Sequence, residues 1–141
     1  MPPDVQSFEC LMDNYAVPAN ETMYHCKFIE VPQVLTEVNH LIRADPVIEE
    51  GNEGVVHHML LFWCKNFNTS YIGFETDCNE FANMDFDGAE CKAAGVQVVG
   101  WAVGGGNYYF PEHVGSPIYG KIYGLLEIHY DNPGISFICY M

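Results

Sequence analysis

Proline and glycine are spread along the whole chain, and this distribution constrains the fold more than any other feature of the sequence. The chain holds 8 prolines and 13 glycines, and no window between them offers an uninterrupted apolar stripe at the helical period. Segments rich in β-branched and aromatic residues predict strands instead, at 24–31, 38–44, 55–64, 96–103, 122–130 and 134–140. Short strands without intervening helices indicate an all-β, antiparallel sandwich, jelly-roll-like, with little or no helix.

Length and charge exclude several classes of function. The 141 residues fit one domain. With 19 acidic and 5 basic side chains, the chain lacks the clustered lysine and arginine that bind nucleic acid and anionic bilayers. No apolar run approaches the roughly 20 residues of a membrane helix, and the first residues lack the pattern of a signal peptide. We therefore expect no nucleic acid partner, no membrane span and no export signal within these residues.

Six cysteines indicate either a disulfide framework or a metal site. None of them forms a C-x-x-C pair, which removes the main support for a zinc ribbon. Asn20 and Asn68 each begin a glycosylation acceptor, in agreement with the oxidising compartment that the cysteines suggest. We expect a glycoprotein that is secreted or that lies in the lumen of the secretory pathway.

Two adjacent histidines, His57 and His58, interrupt an otherwise apolar predicted strand. Buried imidazole nitrogens need partners, and a shared metal would supply one. Consecutive side chains of a regular strand point to opposite faces. Both rings therefore reach one metal only where the strand twists, bulges or ends, or where they use different nitrogens. The alternative is a histidine pair satisfied by the backbone and by water.

His129 is the third candidate ligand. The two-residue period of a strand places Leu125, Glu127 and His129 on one face, so that Glu127 is placed to support the ligand strand. Three imidazoles without carboxylate or thiolate suit copper or zinc, with coordination positions left open. The residues by themselves predict a three-histidine metal site and leave the metal undecided.

Other conspicuous residues have simpler interpretations. We favour packing or surface roles for His25, His40 and His113, and a core role for Met59. The glycine run at 104–106 is not followed by Lys-Ser or Lys-Thr, which favours a flexible turn over a phosphate loop.

Four segments in order resemble motifs of the copper type II, ascorbate-dependent monooxygenases. They are EGVVHHMLLF at 53–62, GWAVGG at 100–105, FPEHVG at 110–115 and LLEIHYDNP at 125–133. The resemblance runs from about residue 17 to residue 133, and the residues of its motifs are more similar to the dopamine beta-hydroxylase branch than to the peptidylglycine branch. It implies the N-terminal domain of an enzyme that uses ascorbate and dioxygen to hydroxylate a small substrate, such as an aromatic amine.

The resemblance also implies roles for particular residues. His57, His58 and His129 would bind the first copper, which passes electrons to a second, oxygen-binding copper. The family's disulfides carry over as Cys26–Cys78 and Cys64–Cys91. Cys10 and Cys139 remain as the third pair, and peptidylglycine relatives close the ends of this domain in a comparable way.

One departure from the family pattern limits the expected activity. In the full enzymes a second sandwich domain supplies the oxygen-activating copper through a His-x-His pair and a methionine, and the 141 residues contain no His-x-His. We therefore expect a single domain over 1–141, with the C-terminal copper domain absent and no catalytic competence alone. Its partner would be that domain or a full-length relative. The alternatives are a truncated, non-catalytic copper-binding module and a disulfide-stabilised interaction domain without metal.

Overall fold

The computed structural model describes residues 5–65, 67–83, 91–92 and 96–134, with the backbone alone for 81–83. Within these ranges the chain forms nine strands and two short 3₁₀ segments, Thr69–Tyr71 and Cys78–Asn83. The strands are β1 (Met23–Glu30), β2 (Leu35–Leu41), β3 (Arg43–Ala44), β4 (Val56–Trp63), β5 (Glu75–Asp77), β6 (Val96–Ala102), β7 (Tyr108–Tyr109), β8 (Ser116–Gly120) and β9 (Tyr123–Tyr130). The predicted all-β fold is confirmed. No helix in this part of the chain has the length and apolar character needed to cross a membrane.

Most of the predicted strands are present with shifted ends. The strand predicted over 38–44 starts earlier, at Leu35, and is interrupted at Ile42, so that it forms β2 and β3. Three strands were not predicted: β5, β7 and β8, which are 3, 2 and 5 residues long. Each is too short for its sequence to show a clear alternating pattern, and each forms by pairing with a strand that is distant in the sequence. The strand predicted over 134–140 lies almost wholly outside the described residues.

A five-stranded antiparallel sheet dominates the fold, in the order β5-β1-β9-β4-β6. Two small antiparallel pairs, β2-β8 and β3-β7, complete the described part. The central strand β9 is buried from Gly124 to Ile128 and pairs with β1 on one side and β4 on the other. Residues of β1, β4 and β9 that lie opposite each other therefore share a face.

The two faces of this sheet are covered by different parts of the chain. One face, here the histidine face, carries a core of buried residues: Cys26, Phe28, Phe62, Cys78, Cys91 and Leu125. Phe28 and Leu125 are 1% and 0% exposed, and burying each of these side chains contributes about 1.5–3 kcal/mol. The opposite face packs Val56, Leu126, Ile128 and Tyr130 against residues of the N-terminal segment.

Two disulfides fasten Cys78 and Cys91 to strands of the main sheet or to the residue that follows them. They join Cys26 to Cys78 and Cys64 to Cys91, which are the two pairs that the family resemblance implies. Cys10 forms no disulfide with another described residue. Its expected partner Cys139 lies outside the described residues, so that bridge stays a prediction.

Candidate metal centre

A β-bulge in β4 brings two consecutive histidines to the same place. Val56 lies opposite Tyr130 of β9, whereas His58 lies opposite His129, so that β4 uses one residue more than its partner at this point. The extra residue is His57. A bulge lets neighbouring side chains escape the strict alternation of a strand. A bulge is one of the strand irregularities that would let both rings bind the same metal ion.

The three imidazoles converge through their Nδ1 atoms. The Nδ1 of His58 lies 3.3 Å from the Nδ1 of His57 and 3.2 Å from the Nδ1 of His129. One ligand nitrogen from each ring falls within 4.8 Å of the other two. A metal bound tetrahedrally at about 2.0–2.1 Å separates its nitrogen ligands by roughly 3.3 Å, so the donors present fit such an ion.

Aromatic packing fixes the orientation of the His129 ring. Tyr24 of β1 lies directly opposite His129, and the two rings stack with centroids 4.4 Å apart and planes 9° apart. The centroid of the Tyr24 ring also lies 5.9 Å from the centroid of the His58 ring. His57 is exposed, whereas His58 and His129 are partly buried. The site is therefore held rigidly from the sheet side and open to solvent at His57.

Burial and mutual repulsion favour the neutral form of His58 and His129. The pKa of His58 is lowered from 6.5, first by burial and then by the neighbouring His57. The pKa of His129 is lowered by burial and then by His58 and His57. Because the neutral imidazole is the form that binds metal, both shifts favour the ligand state at neutral pH.

Glu127 is a buried carboxylate on the same face as His129. It is 4% exposed, and its Oε2 forms an ion pair with the Nζ of Lys92. The same oxygen lies 3.7 Å from the Sγ of Cys26. That sulfur is in a disulfide and has no proton to donate, so the contact is one of packing. Lys92 was missed by sequence reasoning, and the only signal in the sequence is its place next to Cys91.

The remaining histidines lie elsewhere in the described structure. His25 is buried on the opposite face of the sheet, stacked on Tyr15 with centroids 3.7 Å apart. His40 is exposed on β2, and His113 is exposed beside Glu112. Met59 packs on the opposite face, against the core around Ile128. None of these residues belongs to the cluster of His57, His58 and His129.

The glycine run at 104–106 forms a turn after β6. Gly104 has a φ of +85°, and the amide of Gly105 donates to the carbonyl of Ala102 at 2.8 Å. The indole of Trp101 donates to the carbonyl of Gly105 at 2.8 Å, which ties the turn to the sheet. The predicted turn is confirmed.

Comparison with known sequences identifies the family to which the chain belongs. The family described as "Copper type II ascorbate-dependent monooxygenase, N-terminal domain" matches residues 8–136. The chain therefore belongs to the copper type II ascorbate-dependent monooxygenases.

Several curated relatives are similar to this chain. It is 35% identical to "DBH-like monooxygenase protein 1" of Mus musculus over 130 residues, which cover 89% of this chain and 20% of that protein. It is 31% identical to "Dopamine beta-hydroxylase" of Rattus norvegicus over 136 residues, 94% of this chain and 21% of that protein. It is 34% identical to "Tyramine beta-hydroxylase" of Caenorhabditis briggsae over 121 residues, 83% of this chain and 20% of that protein. The chain thus spans about a fifth of the length of the curated relatives that it matches.

Proposed function

We propose that this chain binds one copper ion through His57, His58 and His129 and forms the electron-transfer half of a copper monooxygenase. The observation that carries the proposal is the convergence of three Nδ1 atoms, with separations of 3.3 and 3.2 Å along the cluster. Membership of the family selects copper over zinc, since both metals accept three imidazoles. Copper held there would supply a one-electron couple.

The residues of the chain have different roles at this site. The sheet holds His58 and His129 on neighbouring strands, and Tyr24 keeps the His129 ring in place. His57 forms the exposed edge, through which ascorbate would reach the site as electron donor. The lowered pKa of His58 and of His129 favours the neutral imidazole, which is the form that binds metal.

The substrate and partner belong to the same proposal. The names of two relatives, dopamine beta-hydroxylase and tyramine beta-hydroxylase, point to small aromatic amines as substrates of those proteins. We assign this chain to the same class of reaction, with a C-terminal copper domain or a full-length relative as partner for oxygen activation and substrate binding. The chain by itself is not expected to hydroxylate.

The location follows from the chemistry of the side chains. Two disulfides and two exposed acceptor asparagines, Asn20 and Asn68, favour a secreted protein or one in the secretory lumen.

A non-catalytic copper-binding module is the second candidate function, because the 141 residues contain no His-x-His pair for a second copper. Both functions use the same three histidines. The test mixes the copper-loaded chain with the C-terminal copper domain of a relative. Ascorbate-dependent hydroxylation of tyramine by this mixture supports the enzyme. Failure of that mixture, while the intact relative hydroxylates tyramine, supports the module.

Metal content tests the site itself. The wild-type chain, His129→Ala and the control His113→Ala are loaded with copper, desalted and measured by elemental analysis. We expect about one tightly held ion in the wild type and in the control, and a large loss in His129→Ala. Equal content and affinity in all three would refute the site.

A further inference from the structure

We propose that Lys92 is a positioning residue of this centre: its ammonium holds the buried Glu127 carboxylate in an ion pair and keeps it away from the three imidazoles. The inference rests on the proposed copper site. It assigns to Lys92 the task of keeping an anionic oxygen out of the ligand set.

The burial of Glu127 makes a cationic partner necessary. Glu127 is 4% exposed, and a buried carboxylate without a partner is strongly unfavourable. Among the described residues, Lys92 is its only ion-pair partner, and the whole chain offers just 5 lysine and arginine side chains. One of these few cations is thus committed to a single internal carboxylate.

The carboxylate lies within reach of the metal ligands. Glu127 and His129 are two residues apart on β9, which places them on one face about 7 Å apart along the strand. Glu127 lies directly opposite Leu60 of β4, and His58 is two residues before Leu60. A carboxylate is an ordinary ligand of copper and zinc, so an unrestrained Glu127 has a competing partner nearby. The group of converging ligand nitrogens nevertheless excludes its oxygens.

A disulfide fixes the position of Lys92 in the chain relative to the ligand strand. Lys92 follows Cys91, which is 2% exposed and bonded to Cys64. Cys64 comes directly after Trp63, the last residue of β4, and β4 is the strand that carries His57 and His58. The lysine is thus fastened through a covalent bridge to the ligand strand.

Removal of Lys92 has a defined consequence in this scheme. In Lys92→Met, the Glu127 carboxylate regains a cationic partner by turning to the metal. Anionic oxygen stabilises copper(II) more than copper(I), so the reduction potential falls. We expect the preference for copper(II) to rise at least tenfold, which is about 59 mV for a one-electron couple.

The chain offers a matched control. Lys65 follows Cys64 as Lys92 follows Cys91, at the other end of the same disulfide. Lys65 is exposed and forms no ion pair with any residue in the described ranges. Lys65→Met removes the same charge beside the same bridge, and we expect the potential and the ligand set to stay as in the wild type.

The experiment compares the wild type, K92M, K65M, K92R, E127Q and K92M/E127Q as copper-loaded chains. Pulsed EPR counts the imidazole nitrogens and detects a carboxylate oxygen, redox titration gives the potential, and unfolding of the apo chains gives their stability. We expect an oxygen ligand and the lowered potential in K92M alone. K92R keeps the wild-type values because it keeps the charge. The double variant has no carboxylate to restrain, so it has the same ligand set as E127Q and regains apo stability lost in K92M.

Each outcome decides the proposal. Identical ligand sets and potentials in K92M and K65M would overturn it while leaving the copper site intact. A wild type that binds no copper through histidine would instead overturn the proposed function, and this inference with it. If K92M does not fold, the double variant decides: a ligand set different from that of E127Q would mean that Lys92 does not act through Glu127.

Discussion

His58 and His129 face each other directly across β4 and β9, with their Nδ1 atoms 3.2 Å apart. Two of the three candidate ligands are therefore positioned by the hydrogen-bonded core of the sheet, and the third, His57, by a bulge in the same strand. Ligands held by strands lose little freedom when a metal binds. The proposed centre would thus be largely preorganised before an ion binds.

Removal of the bulged ligand should weaken copper binding without unfolding the chain. His57 is exposed, so His57→Ala should change the free energy of unfolding by no more than about 0.5 kcal/mol. Its copper affinity should fall by about 10- to 100-fold or more. Replacing a residue that only hydrogen-bonds to a metal ligand already produces a loss of this size, and His57 is proposed to be a ligand itself. Competitive chelator titration and thermal unfolding measure the two effects. Copper affinity equal to that of His113→Ala would show that His57 is not a ligand.

Buried His25 should make the apo chain sensitive to acid. Its pKa is lowered from 6.5, first by burial and to a smaller degree by Lys27, against the opposing effect of Glu75 and Asp77. Neither ring nitrogen has a partner among the described residues. Because the unfolded chain then binds the proton more readily than the folded one, this stability is present above pH 6.5 and is lost as pH falls through the folded pKa.

The variant His25→Phe tests this pH dependence, because it keeps a ring against Tyr15 and removes the titrating group. Each unit of lowered pKa is worth about 1.4 kcal/mol, so the variant should lose less stability than the wild type between neutral pH and pH 5. Chemical unfolding of both apo chains across this range gives the difference. Parallel pH profiles would contradict the assignment.

How much of this arrangement the sequence predicts depends on the length of each element. The long strands β4 and β9, the placement of Glu127 and His129 on one face, and the three candidate histidines follow from period and residue type. The exact position of the bulge does not, because either of two adjacent histidines can be the extra residue. Short β5 forms through its register with β1, which only the folded sheet defines. The contact of Lys92 with Glu127 joins residues 35 positions apart and has no local signature.

The third disulfide is testable by mass spectrometry. Cys10 is partly buried, and burial raises the pKa of its thiol to about 11, so a free Cys10 would be a poor nucleophile at neutral pH. We predict that digestion of the oxidised chain, alkylated in denaturant, yields a peptide pair that links Cys10 to Cys139. Recovery of both cysteines in alkylated form would contradict the bridge.

The two acceptor asparagines should carry glycans when the chain passes through a eukaryotic secretory pathway. Asn20 and Asn68 are both exposed. The Oδ1 of Asn68 accepts from the amide and the hydroxyl of Ser70, and its Nδ2 donates to no described residue. We expect a mass loss on treatment with an N-glycosidase, reduced in Asn20→Gln and in Asn68→Gln and abolished in the double variant. An unchanged mass in the treated wild type would refute glycosylation.

The number of imidazole nitrogens bound to copper(II) tests the central claim most directly. Pulsed EPR on the copper-loaded wild type should detect three coupled imidazoles, one each from His57, His58 and His129, with one coupling lost in each single alanine variant. Coordination by cysteine sulfur, or a spectrum unchanged when any of these histidines is replaced, would contradict the proposed site.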